Sequence, residues 1–393
     1  MNSFKFFFVS VKNLLKKEPM LTVSIAVALT SLFISPPDKQ LLTEIDWKTL
    51  ATLFMLLTVL EGFKSENIFA PLLKKCSNFS KIRNLTAFFV YGVFFTSMFV
   101  TNDVSLIIFV PLTIFLFRAA KKENYILPVL TFENIAAIRG SLLTPFGSPQ
   151  NLYIFSKSGI SVWNFVKIMI PLWIFSFFLL YIFILILFRK NENEEILIEP
   201  QNLVQEWQGN RKGKRILYLS LFFLVILTVV TRTKLWPFVT IFTAVIILIF
   251  DRKILLKTDY VLLLTFLCFF IFSTSICSNE KVSEFLGKSV LNHEYIWSIL
   301  LSQLISNVPA SIVLWPFAGK EISNLKALLY GLDSAGLCSI IGSLASVINL
   351  RIYTREFPKN KSTWNFIKTF TWISLAFFFV IVVPQFFLAK LNF

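Results

Sequence analysis

Long apolar runs recur along the whole chain and constrain its fold more than any other feature. A membrane-spanning helix needs roughly 17–25 apolar residues, and nine runs are candidates: residues 20–35, 48–63, 125–155, 164–188, 216–231, 235–250, 260–277, 325–350 and 364–388. Composition agrees, because 56% of the 393 residues are hydrophobic and only 15% are charged, whereas soluble proteins have roughly 25% charged residues. The sequence therefore predicts an all-α polytopic membrane protein surrounded by a lipid bilayer.

Two further apolar stretches are interrupted by polar residues. Residues 85–100 and 104–117 flank Thr101-Asn102-Asp103, and residues 295–305 and 308–318 flank Ser306-Asn307. A helical arm of about 11 residues reaches only ~17 Å, which is half of a bilayer. We predict re-entrant hairpins over 85–117 and 295–318, whose polar tips are tolerated at mid-membrane only where protein or a cavity surrounds them.

Basic residues are unevenly distributed between the predicted loops. With a cytoplasmic N-terminus, 25 of the 38 Lys and Arg residues fall in cytoplasmic segments (1–19, 64–84, 118–123, 189–215, 251–259 and 351–363). Cytoplasmic loops of membrane proteins carry such an excess, so the net charge of +16 does not indicate a nucleic-acid partner. We expect a multi-pass protein of a bacterial plasma (inner) membrane with its N-terminus in the cytoplasm.

The two halves of the chain share an internal repeat. The segment Ser161-Val162-Trp163-Asn164-Phe165-Val166-Lys167 recurs as Ser362-Thr363-Trp364-Asn365-Phe366-Ile367-Lys368. Each half has a span, a hairpin with Asn at its tip, an interrupted span and a last span, and an odd number of spans between the halves predicts inverted repeats. The predicted divisions are an N-terminal anchor (1–45), repeat 1 (46–188), a cytoplasmic linker with two connecting spans (189–259) and repeat 2 (260–393). Inverted repeats with broken helices are typical of secondary transporters.

Polar residues cluster in these apolar segments, where each polar group needs a partner. Two prolines and a glycine break the third span between Thr144 and Asn151, and the equivalent span of repeat 2 lacks proline, which predicts a milder break. Candidate ion- or substrate-binding residues are Thr101, Asn102, Asp103, Thr144, Gly147, Ser148, Gln150, Asn151, Ser306, Asn307, Gly342 and Ser343. The alternative is that small polar residues only let helices pack closely.

Charged residues within the spans are candidates for coupling or anion contact: Glu133, Arg139 and Asp333, together with Asp103. Arg139 can pair with Asp103, contact an anion or reach towards the membrane surface, and the sequence leaves these alternatives open. No enzyme is indicated, because the chain has a single His and neither a His-Glu-x-x-His nor a Gly-x-Ser-x-Gly motif. We expect no cofactor other than a coupling ion.

The tips and the run from Leu143 to Leu152 resemble the ion transporter superfamily, which includes divalent-anion/sodium symporters, citrate-type carriers, arsenite permeases and some sodium/proton antiporters. The most similar branch is citrate-transporter-like or arsenite-permease-like. The resemblance implies an elevator-type fold, with a scaffold domain that forms a homodimer and a transport domain that carries both hairpins. It also implies a Na⁺ site at Thr101, Asn102, Gly147, Ser148 and Asn151. Asp103 and Val308 depart from the Ser-Asn-Thr tip of the superfamily's symporters.

Together these features predict a secondary active transporter for a small anion, either a carboxylate or an inorganic oxyanion. Transport is expected to be coupled to Na⁺ or H⁺ and to use an elevator-like alternating-access mechanism. A sodium/proton antiporter and an arsenite-type efflux permease are the alternatives.

Overall fold

A computed structural model describes residues 19–36, 43, 45–66, 79–189, 212–231, 233–357 and 362–390. These residues form helices α1 (Pro19–Ile34), α2 (Trp47–Ser65), α3 (Ile82–Val100), α4 (Asn102–Ala119), α5 (Ile126–Gly140), α6 (Pro149–Ser158), α7 (Val162–Leu187), α8 (Lys212–Thr231), α9 (Trp236–Lys257), α10 (Tyr260–Cys277), α11 (Glu280–Val290), α12 (Glu294–Ile305), α13 (Asn307–Leu314), α14 (Ile322–Ala335), α15 (Leu344–Glu356) and α16 (Ser362–Lys390). Short 3-10 helices cover Glu123–Tyr125, Ser141–Leu143 and Trp315–Phe317. The all-helical prediction is confirmed.

Several helices have the length and composition of membrane spans. In the described ranges, six segments qualify: Ile82–Val100, Asn102–Ala119, Glu123–Leu143, Val162–Leu187, Gly213–Thr231 and Thr363–Phe387. A seventh is obtained if α9 and α10, which meet at a 75° bend, are counted as one span. The nine predicted spans are a different and larger set, which includes shorter helices such as α1 with 16 residues. This succession of apolar helices supports a polytopic membrane protein.

Helix α5 lies in the interior, and α7 lies at the periphery. In the span that contains α5, 83% of the most apolar stretch of 18 residues is buried inside the protein, whereas the corresponding share in α7 is 28%. Peripheral helices expose large apolar side chains such as Phe178, Phe223 and Phe379, which suits contact with lipid tails. The polar and charged residues of α5 are therefore surrounded by protein rather than by lipid.

Two helical hairpins turn at single residues, α3–α4 at Thr101 and α12–α13 at Ser306. Helices α12 and α13 have 12 and 8 residues, so they extend only about 18 and 12 Å, as expected for re-entrant arms. Helices α3 and α4 have 19 and 18 residues, which is longer than predicted and long enough to cross a membrane. The re-entrant placement of both hairpins therefore stays a prediction.

Both interrupted spans are broken to the same extent. Helices α5 and α6 are separated by residues 141–148, and helices α14 and α15 by residues 336–343. The milder break predicted for the second half is therefore wrong. The absence of proline does not preserve the helix, because Gly342 lets the chain fold back against the end of α14, where a Cβ atom would lie 2.2 Å from the Ala335 carbonyl oxygen.

The breaks and hairpins of the two halves pack against each other. Helix α4 contacts α15, α5 contacts α15 and α16, and α6 contacts α13 and α14. This packing brings polar segments that are far apart in the sequence into one interior region. The inverted orientation of the repeats and the domain boundaries stay predictions. Residues 1–18 and most of the predicted linker, 190–211, lie outside the described residues.

Candidate ion- and substrate-binding site

The two hairpin tips adopt the same unusual backbone conformation. Thr101 has φ 72° and ψ 156°, and Ser306 has φ 71° and ψ 158°. This region of backbone space is populated almost only by glycine and costs about 1–3 kcal/mol for other residues. Such strain persists only where the surrounding structure enforces it. The predicted equivalence of these two tips therefore extends to their backbone geometry.

Each tip is hydrogen-bonded to the helix break of its own half. The Asn102 N–H donates to the Gly147 carbonyl oxygen at 3.1 Å, and the Asn307 N–H donates to the Gly342 carbonyl oxygen at 3.2 Å. The N–H of each glycine in turn donates to the carbonyl of the residue three positions earlier, Thr144 or Ser339, at 3.2 Å. The structure thus brings each predicted tip together with the predicted break of the same half.

Other side chains fix the tips less symmetrically. The Asn102 Oδ1 atom accepts from the Asp103 N–H at 2.9 Å, whereas the Asn307 amide approaches the Leu332 carbonyl oxygen at 3.5 Å. The Thr144 hydroxyl donates to the Met98 carbonyl oxygen, at the end of α3. The asparagine at the second tip therefore reaches α14, while the one at the first tip bonds within its own turn.

Both tip segments line adjoining cavities that share one wall. Ser306, Val308 and Pro309 line a cavity of about 650 Å³, open mouth included, and Asp103 and Val104 line another of about 1130 Å³. The two cavities share the lining residues Asp259, Val261, Leu262, Leu344 and Ile348. We refer to this pair of cavities as the central cleft. The start of α10 and the start of α15 form its common wall.

Many predicted site residues carry buried oxygen atoms without a hydrogen-bond partner in the described structure: Asp103 Oδ1, Ser148 Oγ, Gln150 Oε1, Asn151 Oδ1 and Ser306 Oγ. Buried polar atoms are ordinarily paired, so each such atom requires an explanation. Carboxylate, amide and hydroxyl oxygens are ligands suited to hard cations. These unpaired oxygens are of the kind that bind hard cations, although Thr101 and Asn102, two of the predicted Na⁺ ligands, have no such unpaired side-chain oxygen.

Asp333 joins the second half to the break of the first half. Its Oδ1 accepts from Gln150 Nε2 at 2.9 Å, and its Oδ2 accepts from Asn151 Nδ2 at 3.2 Å. Both carboxylate oxygens are thus occupied by amide donors, and the side chain is fully buried. Asp333 therefore orients the two amides and leaves their own oxygens unpaired.

Arg139 is completely buried and makes one hydrogen bond in the described structure. Its Nη2 donates to Ser334 Oγ at 3.1 Å, while Nε and Nη1 have no partner. No acidic group of the described residues forms an ion pair with it, although it interacts electrostatically with Asp333 over a longer distance. The structure therefore does not show the Arg139–Asp103 pair that the sequence allowed.

Comparison with known proteins identifies the family of this chain. The sequence model of a family described as citrate transporter matches residues 8–327, well over half of the chain. The chain belongs to the citrate transporter family. The predicted resemblance to the ion transporter superfamily is thereby confirmed, and the family points to a multi-pass membrane transporter rather than an enzyme.

Two relatives cover most of this citrate transporter family member. The inner membrane protein YbiR of Escherichia coli (strain K12) is 30% identical over 328 residues, which are 82% of this chain and 84% of the relative. The uncharacterized transporter MJ0456 of Methanocaldococcus jannaschii is 29% identical over 334 residues, which are 85% of this chain and 88% of the relative. The similarity extends over both halves of the chain.

Glu133 occupies a separate buried position. Its Oε1 accepts from the Thr113 hydroxyl of α4, and its Oε2 has no partner in the described structure. Glu133 and Arg139 thus bond different neighbours, as their six-residue separation on α5 predicts. The two residues are distinct functional candidates.

Three residues of the interior network were not predicted from the sequence: Asn134, Tyr330 and Gln385. Ser334 donates to Gln385 Oε1 at 2.7 Å, and Gln385 donates to the Tyr330 carbonyl oxygen at 2.8 Å. Between α5 and α15, Asn134 donates to Ser346 Oγ at 3.0 Å. The available signal was an amide in an otherwise apolar span, which applies to Gln385 as much as to the residues that were selected.

Proposed function

We propose that this member of the citrate transporter family is a secondary active transporter that moves a small anion, coupled to Na⁺ or H⁺. The observation that carries this proposal is the pair of matching strained tips, each bonded to a helix break and each facing the central cleft. Broken helices that meet at one cavity are the usual construction of a transporter binding site. The anion is a carboxylate, for which the family description suggests citrate as a first test, or an inorganic oxyanion.

Helix N-termini provide polar groups that can bind the proposed anion. Helices α4 and α13 begin at the tips, and helices α6 and α15 begin at the breaks. Helix N-termini present N–H groups and a partial positive charge. These elements suit an anionic ligand that must also be released. Movement of the hairpin-bearing helices relative to the others, as in an elevator, would alternate the access of the cleft.

A coupling cation is proposed at the oxygen-rich break of the first half. Ser148 and Asn151 supply unpaired buried oxygens there, and Thr101, Asn102 and Gly147 complete the proposed Na⁺ site. Their hydrogen-bonded arrangement around the first tip supports a common site. If H⁺ replaces Na⁺, the buried carboxyl groups Asp103, Glu133 and Asp333 are the residues that can carry it.

A stability screen of the purified protein tests the proposal. We expect Na⁺ or a lower pH, together with the correct anion from a panel of citrate, succinate, phosphate, sulfate and arsenite, to raise the melting temperature. Asn102→Ala and Asn307→Ala should abolish this joint effect, whereas the exposed Lys288→Ala should preserve it. If no anion shifts the wild-type melting temperature under any of these conditions, the proposed function is wrong.

Sodium/proton antiport is a second candidate, because acidic groups line the same cleft. Asp103 has a buried, unpaired Oδ1 atom, and Asp259 lines both cavities. Two carboxylates at one cavity favour cation binding and proton exchange. A pH-sensitive dye inside proteoliposomes distinguishes the candidates, since antiport moves protons in response to Na⁺ without any transported anion.

The cellular setting of this transporter is also a proposal. The excess of Lys and Arg in the predicted cytoplasmic segments supports an N-terminus in the cytoplasm. We propose location in a bacterial inner membrane and assembly as a homodimer. Cross-linking of the protein in native membranes would test the dimer.

A further inference from the structure

We propose that Arg139 binds the transported anion through one edge of its guanidinium group, and that Asp333 is the counter-charge of Arg139 when no anion is bound. This inference rests on the proposed function, since it names the residue and the anion chemistry that such a transporter would use. It assigns a role to the arginine of α5, a residue to which the resemblance to the superfamily assigns no role.

The burial of Arg139 indicates that its free donors need a ligand. The side chain has no solvent exposure, yet Nε and Nη1 lack hydrogen-bond partners in the described structure. Burying an arginine without an ion pair and without full hydrogen bonding is costly. Buried donors without a hydrogen-bond partner require an explanation, and the binding of an ion is one of them. A negatively charged oxygen ligand would satisfy both requirements.

The unpaired nitrogens define the shape of that ligand. A guanidinium group has two donor edges, and each edge combines Nη2 with either Nε or Nη1. The single bond from Nη2 to Ser334 uses one of the two Nη2 hydrogens, so the other Nη2 hydrogen shares an edge with an unpaired nitrogen. One complete edge therefore offers two parallel N–H groups, which match the two oxygens of a carboxylate or of another oxyanion.

Asp333 is placed to balance this charge without blocking it. It is not within ion-pair distance of Arg139, and its two oxygens accept amide hydrogens from Gln150 and Asn151. Two accepting oxygens are the arrangement of an ionised carboxylate. At low dielectric its negative charge stabilises the guanidinium from a distance and would repel an anion that binds to Arg139. Asp333 therefore weakens anion binding, which favours release of the anion.

Arg139 contacts the end of α14 through Ser334, just before the break between α14 and α15. Three residues of this break, Cys338, Ser339 and Ile340, are partly exposed. The same segment carries Gly342, the glycine that is bonded to the second tip. The proposed anion contact and the hairpin are thus structurally linked.

Charge-changing variants test the proposal through anion binding, measured by ligand-dependent melting temperature and by calorimetry with citrate, succinate, phosphate and sulfate as probes. Measurements are made at about pH 8, where carboxyl groups are ordinarily ionised. Arg139→Lys keeps the charge but loses the two-point edge, and should weaken binding by about 10- to 100-fold, as expected when a charged hydrogen bond is lost. Asp333→Asn should tighten binding several-fold, because the competing charge is removed.

The double variant Arg139→Gln/Asp333→Asn separates anion binding from a purely structural charge pair. It removes both buried charges, so it should regain the stability that Arg139→Gln alone loses, but it should bind no anion. Recovery of anion binding in the double variant would overturn the proposal, as would unchanged affinity in Arg139→Lys or weaker binding in Asp333→Asn. If wild-type protein binds none of the probes, the proposed function fails instead. If the wild-type protein does bind, comparison of the carboxylate probes with the inorganic probes identifies which oxyanion the guanidinium edge accepts.

Discussion

At the scale of single residues, the glycines at the breaks determine how the tips are held. A Cβ atom on Gly147 would lie 2.1 Å from the Ser141 carbonyl oxygen, and one on Gly342 would lie 2.2 Å from the Ala335 carbonyl oxygen. No real Cβ approaches a backbone oxygen so closely. The backbone must therefore shift if either glycine is replaced. The hydrogen bond that the asparagine N–H at the tip donates to the glycine carbonyl oxygen is then lost.

We expect Gly147→Ala and Gly342→Ala each to destabilise the protein by about 1–3 kcal/mol, as backbone shifts in packed interiors do, and to abolish anion-dependent stabilisation. The measurement is the melting temperature with and without anion. Gly287→Ala is the matched control, because nothing lies within 4 Å of its Cβ position, and alanine should stabilise helix α11 by up to ~1 kcal/mol. Equal melting temperatures for Gly342→Ala and wild type would contradict the role assigned to this glycine.

The sequence predicted the positions of the site residues better than their contacts. Polar residues inside apolar runs marked both tips and both breaks, because a polar group in a membrane span is costly whatever its partner. The partners depend on packing between helices that are far apart in the chain. Arg139 bonds Ser334 rather than Asp103, and Asp333 accepts from Gln150 and Asn151. No local spacing could indicate these pairs.

At the scale of helices, α5 and α15 join the two halves through buried amides. Asn349 donates to the Leu130 carbonyl oxygen at 2.8 Å, and Asn134 donates to Ser346. Both asparagines are completely buried. At its end, α15 also contacts α4 through the Arg118–Glu356 ion pair at 2.9 Å. The Glu356 side chain of this pair is 42% exposed. The buried amides therefore contribute more than the exposed ion pair.

We expect Asn349→Leu to cost about 1–3 kcal/mol, because it leaves the buried Leu130 carbonyl oxygen without its donor. The control on the same helix is Glu356→Gln, which should cost less than about 1 kcal/mol, since exposed ion pairs contribute little. Melting temperatures of the two variants in the same detergent provide the comparison. A larger loss in Glu356→Gln than in Asn349→Leu would show that the end of α15, rather than its buried face, holds the halves together.

Helix ends were predicted well where an apolar run ends. They were predicted poorly where backbone geometry determines the position at which a helix is interrupted. The predicted span 164–188 corresponds to α7 (Val162–Leu187), and 364–388 corresponds to α16 (Ser362–Lys390). The second break was underestimated, because glycine at a close backbone approach interrupts a helix as effectively as proline. Helix α11 was not predicted, since it is short and mostly polar.

At the scale of the whole molecule, the two polar hairpin tips converge on the central cleft. The sequence repeat around Trp163 and Trp364 predicts that the halves are inverted, and the matching tip geometry agrees with a common ancestry of the halves without fixing their orientation. Orientation is set by how the chain crosses the membrane. It can be tested independently of transport.

We expect cysteines introduced on either side of α10 to face opposite sides of the membrane. In a background without the four native cysteines, Lys253→Cys should react with an impermeant maleimide only from the cytoplasmic side. Lys288→Cys, which is 76% exposed on α11, should react only from the outside. Reaction of both cysteines from the same side would show that α10 does not cross, which would contradict the topology from which the inversion of the repeats is predicted.

Flux through purified protein in proteoliposomes is the most direct test of the central claim that both tips build one anion site. We expect uptake of a radiolabelled anion identified by the stability screen, driven by an imposed Na⁺ or pH gradient. Asn102→Ala and Asn307→Ala, which change different halves, should each abolish that uptake, while Lys288→Ala should leave it intact. Uptake that persists at the wild-type rate when either asparagine is replaced would contradict a site shared by the two tips.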